Sequence, residues 1–123
     1  MTMSVRGIRG ATCADANSAE KIYSATKDLL REIVALNGLS HEDIISLTFS
    51  ATSDLDAAYP AVAARELGFG DTPLFCVQEM DVKGSLRMCV RVLVHVNSEK
   101  PQKDMVHVYQ KGARVLRPDL SGK

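Results

Sequence analysis

The sequence predicts an α+β fold, a mixed five-stranded sheet packed against one long helix and short helical turns. Residues 17–36 carry a long helical periodicity, about five shorter stretches have the composition of strands, and Gly, Pro or Asn marks most of the joints between them. With 123 residues the chain is long enough for one domain with a core and hardly for two, so residues 1–123 are read as a single domain.

MSVRGIRGAT, residues 3–12, is the first strand, with Val5, Gly7 and Arg9 on one face and Arg6, Ile8 and Gly10 on the other. Its glycines weaken the strand but let another backbone or a ligand come close. Asn17 is placed as a helix N-cap with Glu20 at N3. Ile22, Leu29, Ile33 and Leu36, widened by Leu30 and Val34, form the apolar stripe of a helix that Asn37-Gly38 ends. Ser40 to Asp43 reads as a capped turn, flanked by Leu39 and Ile44 as a hydrophobic staple. In IISLTFSAT, residues 44–52, alternation puts Ile45, Leu47, Phe49 and Ala51 on one face and Ser46, Thr48 and Ser50 on the other. Pro60 can open a short helix and Gly68 close it. PLFCVQEM, residues 73–80, is a third strand ending in acid, and Lys83-Gly84-Ser85 is a turn. Leu86 to Val96 is the longest strand, Pro101 begins a turn, and VHVY, residues 106–109, is the last strand. The end, residues 114–123, is polar and contains Pro, and is expected to be a partly mobile tail. One helix cannot cover both faces of such a sheet. The other face is expected to pack against further copies of the chain, as a homo-oligomer.

Composition narrows the function. Fifteen basic residues balance fifteen acidic ones, which argues against nucleic acid or an acidic membrane as the main partner. Aromatics are 5% with no Trp, too few for base-stacking platforms. Cys13, Cys76 and Cys89 are odd in number and lack CxxC spacing, which suits a reducing compartment and gives no zinc motif. His41, His95 and His107 have no metal-ligand spacing, so no metal site is expected. There is no leader-like apolar stretch near the N-terminus and no run near the roughly 18 apolar residues of a membrane span, so the expectation is a cytoplasmic protein.

Charges in apolar places carry the sharper signal. MCVRVLVHV, residues 88–96, reads as a core strand, yet Arg91 sits in its middle. A buried cation without a partner costs several kcal/mol, so Arg91 faces either water or something negative. Arg9, Arg65 and Glu79 also sit among apolar neighbours, and Arg117 lies near the tail. Each alone reads as a surface charge, and Glu79 can simply pair with Arg91. Together they read as a pocket in which arginines hold a carboxylate-rich ligand by charge-assisted bonds. GxSxG, P-loop and dinucleotide motifs are absent from the sequence, and Cys76 has no histidine near it in sequence and reads as a small buried thiol. His95 and His107 read as ordinary strand residues.

RGIRGAT (6–12), SATSDL (50–55), YPA (59–61), AARELG (63–68), CVQEMDV (76–82), CVRV (89–92), HVY (107–109) and VLRPDL (115–120) together resemble the trimeric, pseudo-α/β-barrel class of chorismate mutases, from about residue 5 to residue 120. The resemblance implies a homotrimer with active sites between subunits and rearrangement of chorismate to prephenate in phenylalanine and tyrosine biosynthesis, without cofactor or metal. It implies that Arg91 bonds the ether oxygen of the breaking C–O bond and one carboxylate. Arg9 binds a carboxylate beside Tyr109, Glu79 accepts from the ring hydroxyl, and Cys76 contacts the same region. Arg65, Tyr59 and Ala61 come from the adjacent subunit, Leu74 and Phe75 line the cleft, and Leu116 and Arg117 lie in the tail that orders over the ligand. Family members often carry Lys at the position of Val62 and a small polar residue at that of Phe75, departures expected to alter affinity rather than the reaction.

The implied reaction fits this residue set. A Claisen rearrangement needs neither base nor nucleophile. Negative charge grows on the ether oxygen in the transition state, so a dry, fixed guanidinium there binds the transition state better than the ground state. Such a donor supplies about 3–4 kcal/mol, and holding the substrate in its reactive chair adds to it. Two alternatives remain at this stage: an imine deaminase-like enzyme on a similar trimeric fold, and a small-carboxylate-binding regulatory module that turns nothing over.

Overall fold

The computed structural model of the chain describes residues 2–121. Five strands form one sheet in the order β3-β2-β4-β1-β5. β1 (Ser4–Cys13) and β2 (Ile44–Ala51) flank β4 (Cys89–Ser98) antiparallel, while β3 (Leu74–Gln78) and β5 (Val108–Tyr109) join the two edges in parallel. The mixed sheet and the long helix are as the sequence predicts.

Side-chain alternation sorts the sheet into two faces. Ile8, Leu47, Phe49, Val90, Val92, Val94 and Val96 are buried on one of them, under α1 (Ala19–Asn37) and α2 (Pro60–Glu66). α1 lies close because Gly10 has no side chain: a Cβ there would stand 2.6 Å from Ile33 Cδ1 and 3.0 Å from Val92 Cγ1. The other face carries Val5, Arg9, Arg91, Leu93, Phe75 and Val77, all exposed. At one end of it a 3-10 turn, Lys111–Leu116, folds over Ala11 and Cys89 and buries Ala113.

Several local expectations are corrected, most of them by a polar group with a better partner. The N-cap of α1 is Ser18, whose hydroxyl accepts from the Lys21 N–H, and not Asn17. The Asn17 amide instead accepts from the Asp56 and Ala57 N–H groups and donates to the Asp56 carboxylate, tying down the segment before α2. Gly38, with φ 60°, ends the helix in the left-handed conformation that suits glycine. Leu36 is exposed and Asn37 takes the buried place at that end, because the Asn37 amide pairs with both backbone groups of Val106 like a strand neighbour.

Ile44 rather than Ile45 faces the core, since a register irregularity between Ile44 and Ser46 shifts the alternation by one. β4 starts at Cys89 and not at Leu86. Met88 is in the left-handed region (φ 56°), held by the Asp54 carboxylate accepting from its N–H. β5 is shorter than VHVY, because the His107 ring accepts the Arg9 N–H where a strand would offer a carbonyl. In the tail, residues 114–116 belong to the 3-10 turn and Pro118–Ser121 is a short helix, α3, while the part of the tail at residues 122–123 lies outside the described residues.

Candidate active site

Antiparallel pairing fixes the centre of the open face. Ala11 and Ser50 flank Arg91, and Leu93 lies beside Arg9 and Thr48. Arg9, Arg91 and Tyr109, with Thr48, Ser50 and Leu93, line a cavity of about 220 Å³ there. Glu79, just past β3, turns back to it. Its N–H donates to the Ala51 carbonyl, and its carboxylate accepts from the Ser50 hydroxyl at 2.7 Å. Arg91 Nε lies 3.4 Å from Glu79 Oε1.

Arg91 is not buried within one chain, as the apolar run around it had implied; its side chain is 48% exposed. Strand alternation reconciles the two. Val90 and Val92 face the core and Arg91 faces the open side. With Nε turned to Glu79, the two terminal nitrogens remain for a ligand.

Arg9 is set by a residue that sequence reasoning had taken for an ordinary strand histidine. Its backbone N–H donates to His107 Nδ1 at 2.9 Å, and its Nη1 lies 3.2 Å from His107 Nε2. A main-chain N–H can only donate, so Nδ1 is the acceptor and neutral His107 carries its proton on Nε2. Two donors then face each other, and the Arg9 guanidinium obtains no acceptor from the ring. Burial, then the nearby Arg9 and Arg117 cations, hold His107 below its ordinary value, which keeps it neutral. Arg9 forms no salt bridge among the described residues, although the Asp119 carboxylate is near enough to feel its charge.

Arg117 reaches the same end of the site through the tail, where a two-pronged bond with Asp119 (2.9 and 3.1 Å) orients it. That bond holds the Asp119 carboxyl below the usual range and raises Arg117 above its own. Leu116 packs with Tyr109 against the buried Ala11–Cys89–Ala113 cluster.

The other residues named from the sequence lie elsewhere in the chain. Cys76 stands opposite Phe49 on the helix-covered side of β3, and with Tyr59 it lines a separate cavity of about 560 Å³. Leu74 is on that same side, half-buried against the core. Ala61 is buried in α2, and Arg65 is exposed on α2 without a salt bridge among the described residues. Phe75 is exposed on the open face in register with Thr48, one strand out from the cavity. One group (Arg9, Arg91, Glu79, Tyr109, Leu116, Arg117) is therefore assembled by a single chain. The other (Tyr59, Ala61, Arg65, Leu74, Cys76) lies across the β3 edge from it.

Ser50 and His107 were missed as site residues. The signal for Ser50 was present, since alternation put it on the polar face of β2; for His107 it was only its place two residues before Tyr109.

No described helix is long and apolar enough to cross a membrane, and the described residues contain no cluster of three or more metal-ligating side chains. Comparison with known proteins agrees with the geometry. The family model for chorismate mutase type I matches residues 5–120. The chain is 47% identical over 120 residues to the chorismate mutase AroH of Bacillus subtilis, covering 97% of this chain and 94% of that one. It is 43% identical over 117 residues to the chorismate mutase AroH of Thermus thermophilus, covering 94% and 96%. A solved chorismate mutase from Clostridium thermocellum superposes with a TM-score of 0.87 at 51% identity, covering 89% of this chain and 97% of that one. A match over nearly the whole chain, in sequence and in fold, places the protein in the type I chorismate mutase family.

Proposed function

We propose that the protein is a chorismate mutase whose residues 1–123 act as one domain, catalysing the pericyclic rearrangement of chorismate to prephenate on the route to phenylalanine and tyrosine. The observation that carries this is the convergence of Arg9 and Arg91 with Tyr109 on one small cavity, with Glu79 bonded to Arg91 at its edge. Chorismate carries two carboxylates, an ether oxygen and a ring hydroxyl. The terminal nitrogens of Arg91 bind the ether oxygen and one carboxylate. Arg9, with Tyr109 and Arg117 beside it, binds a carboxylate, and Glu79 accepts from the ring hydroxyl. As the C–O bond lengthens, the guanidinium of Arg91 meets growing negative charge on oxygen, and its bond strengthens where the barrier is highest. No proton moves and no covalent intermediate forms.

The reading includes a homotrimer. Tyr59, Ala61, Arg65, Leu74 and Cys76 lie across the β3 edge from Arg91 in their own chain, so they join its cleft from a neighbouring copy. The exposed apolar residues Val5 (58%), Leu93 (40%) and Phe75 (65%) on the open face support association of copies there. Leu116 and Arg117 close over the bound ligand as the tail orders. Free cysteines and the absence of a membrane-crossing helix among the described residues fit a cytoplasmic enzyme.

The family match is the reason to prefer rearrangement over imine hydrolysis or ligand binding alone. The test is the loss of chorismate ultraviolet absorbance on adding purified protein, without metal or cofactor, beside Arg91→Ala. Rapid loss with prephenate as product is expected of the wild type only. A folded, oligomeric wild type that leaves chorismate unchanged would sink the reading.

A further inference from the structure

Two of the three cysteines face each other. Cys13 ends β1 and Cys89 begins β4, and the antiparallel register makes them direct partners. The Cys89 N–H donates to Thr52 Oγ1 and the Cys89 carbonyl accepts from the Thr52 N–H, so both its main-chain groups turn toward β2 and away from Cys13. The next pair along, Ala14 and Met88, makes the main-chain bond between the strands. Cys13 and Cys89 are thus a non-hydrogen-bonded pair, the kind with Cα atoms about 4.5 Å apart and side chains close. A disulfide needs a Cα separation of roughly 4.4–6.8 Å. The thiols lie on the same face, near enough that each alters the other's ionisation. Both belong to the small cluster beneath the 3-10 turn, where a Cβ on Gly112 would stand 3.3 Å from Cys13 Sγ. Cys89 also shares its face with Arg91 two residues on, and the Cys13–Cys89 pair is the next same-face pair along from Ala11–Arg91.

We propose that Cys13 and Cys89 form a redox modification site, closing into a cross-strand disulfide by exchange with low-molecular-weight disulfides, and that closure lowers turnover through Arg91. The order of attack follows from exposure. Cys13 is half-buried and Cys89 buried. Burial raises the Cys13 thiol, but the Gly112 N–H and the Lys111 cation pull it back down. Burial, then Cys13, pushes Cys89 up to about 11. The Cys13 thiolate attacks the small disulfide R–S–S–R, forming a Cys13–S–S–R bond and releasing RS⁻, which takes up the proton Cys13 gave. Cys89 then attacks the Cys13 sulfur, forming the Cys13–Cys89 bond and expelling the second RS⁻, protonated by the hydrogen Cys89 lost. Two protein thiols are oxidised by two electrons and one small disulfide is reduced to two thiols. The new bond ties the two strands together one same-face pair from Ala11–Arg91, and so shifts the segment of β4 that aims Arg91.

The experiment incubates the native wild-type protein with glutathione disulfide at pH 8 and follows intact mass, peptide mapping and chorismate turnover together. The expected results are a loss of about 2 Da per chain, a Cys13–Cys89 crosslinked peptide with Cys76 still reduced, and a several-fold fall in kcat/KM that dithiothreitol reverses. Cys13→Ser should turn over like the reduced wild type and ignore the oxidant, while Cys76→Ser should still lose about 2 Da through the Cys13–Cys89 crosslink. A lasting glutathione adduct on Cys13, a crosslink through Cys76, or no mass change would overturn the site. A Cys13–Cys89 disulfide with unchanged turnover would overturn the link to Arg91. The turnover readout rests on the role proposed for Arg91 and the mass readout does not, so the two failures are distinguishable.

Discussion

Arg91→Ala should separate catalysis from stability, and the structure sets both magnitudes. On the stability side the variant loses the contact between Arg91 Nε and Glu79 Oε1, 3.4 Å long, between side chains 48% and 28% exposed. Pairs so open to water contribute about 0.2–1 kcal/mol. Glu79 keeps its bond from the Ser50 hydroxyl, so no carboxylate is stranded. On the catalytic side the variant loses the donor at the developing oxyanion, about 3–4 kcal/mol or 10²–10³ in kcat. It also leaves Glu79 un-neutralised beside a dianionic substrate. The catalytic loss exceeds the folding loss at least threefold in energy. Urea denaturation should therefore shift little while chorismate turnover falls by two or more orders of magnitude. Arg91→Lys should fail nearly as badly. Arginine gives Nε to Glu79 and keeps two nitrogens for the substrate, whereas a single ammonium cannot serve both. A lysine variant within about tenfold of wild-type kcat would refute this division of labour. An alanine variant equally active would refute the electrostatic role itself.

Other expectations follow from particular contacts. Gly10→Ala drives a Cβ to within 2.6 Å of Ile33 Cδ1 and 3.0 Å of Val92 Cγ1, so it should lose about 1–3 kcal/mol by overpacking, read as a lower urea midpoint. Asn17→Ala removes the acceptor for the Asp56 and Ala57 N–H groups in an exposed setting, so about 1–2 kcal/mol should be lost, with faster proteolysis of the loop before Tyr59. His107 has a folded pKa below its ordinary 6.5, so its contribution to stability is full above that value and is lost as pH falls through the folded pKa. The urea midpoint should therefore drop on acidification from pH 7 to 5, and His107→Gln should remove the histidine's share of that drop.

What was legible in the sequence was whatever period and sign could encode. The alternation in β2 placed Leu47 and Phe49 inward and Ser50 outward, and Asn37-Gly38 marked the end of α1 correctly. What was not legible were side chains that stand in for backbone. Asn37 imitates a strand beside Val106, His107 takes an N–H from β1, and Asp54 holds Met88 in a left-handed conformation. Each depends on a partner tens of residues away, which no local window contains. The same limit governed the site. Motif order named Arg9, Arg91, Glu79 and Tyr109 together, and the sheet does bring Arg9, Arg91 and Tyr109 to one cavity. It also named Cys76, three residues before Glu79. Within one chain the two part company, because Cys76 leaves β3 on the core side, opposite Phe49, while Glu79 turns back to the open one.

That separation makes the division of the site between chains testable by mixing. Arg91→Ala and Arg65→Ala should each be inactive as pure oligomers, because every cleft lacks one guanidinium. In a cyclic trimer each cleft takes Arg91 from one chain and Arg65 from its neighbour. Any trimer containing both variants then has one cleft where the intact Arg91 of one chain meets the intact Arg65 of the other. Random refolding of an equal mixture makes about three quarters of the trimers mixed, so roughly a quarter of all clefts are restored. Turnover should rise from near zero to about that fraction of wild type. A site contained in one chain predicts no recovery, because no chain in the mixture holds both arginines. Recovery near half would also refute the arrangement, since a three-chain ring with one shared cleft per boundary cannot yield it.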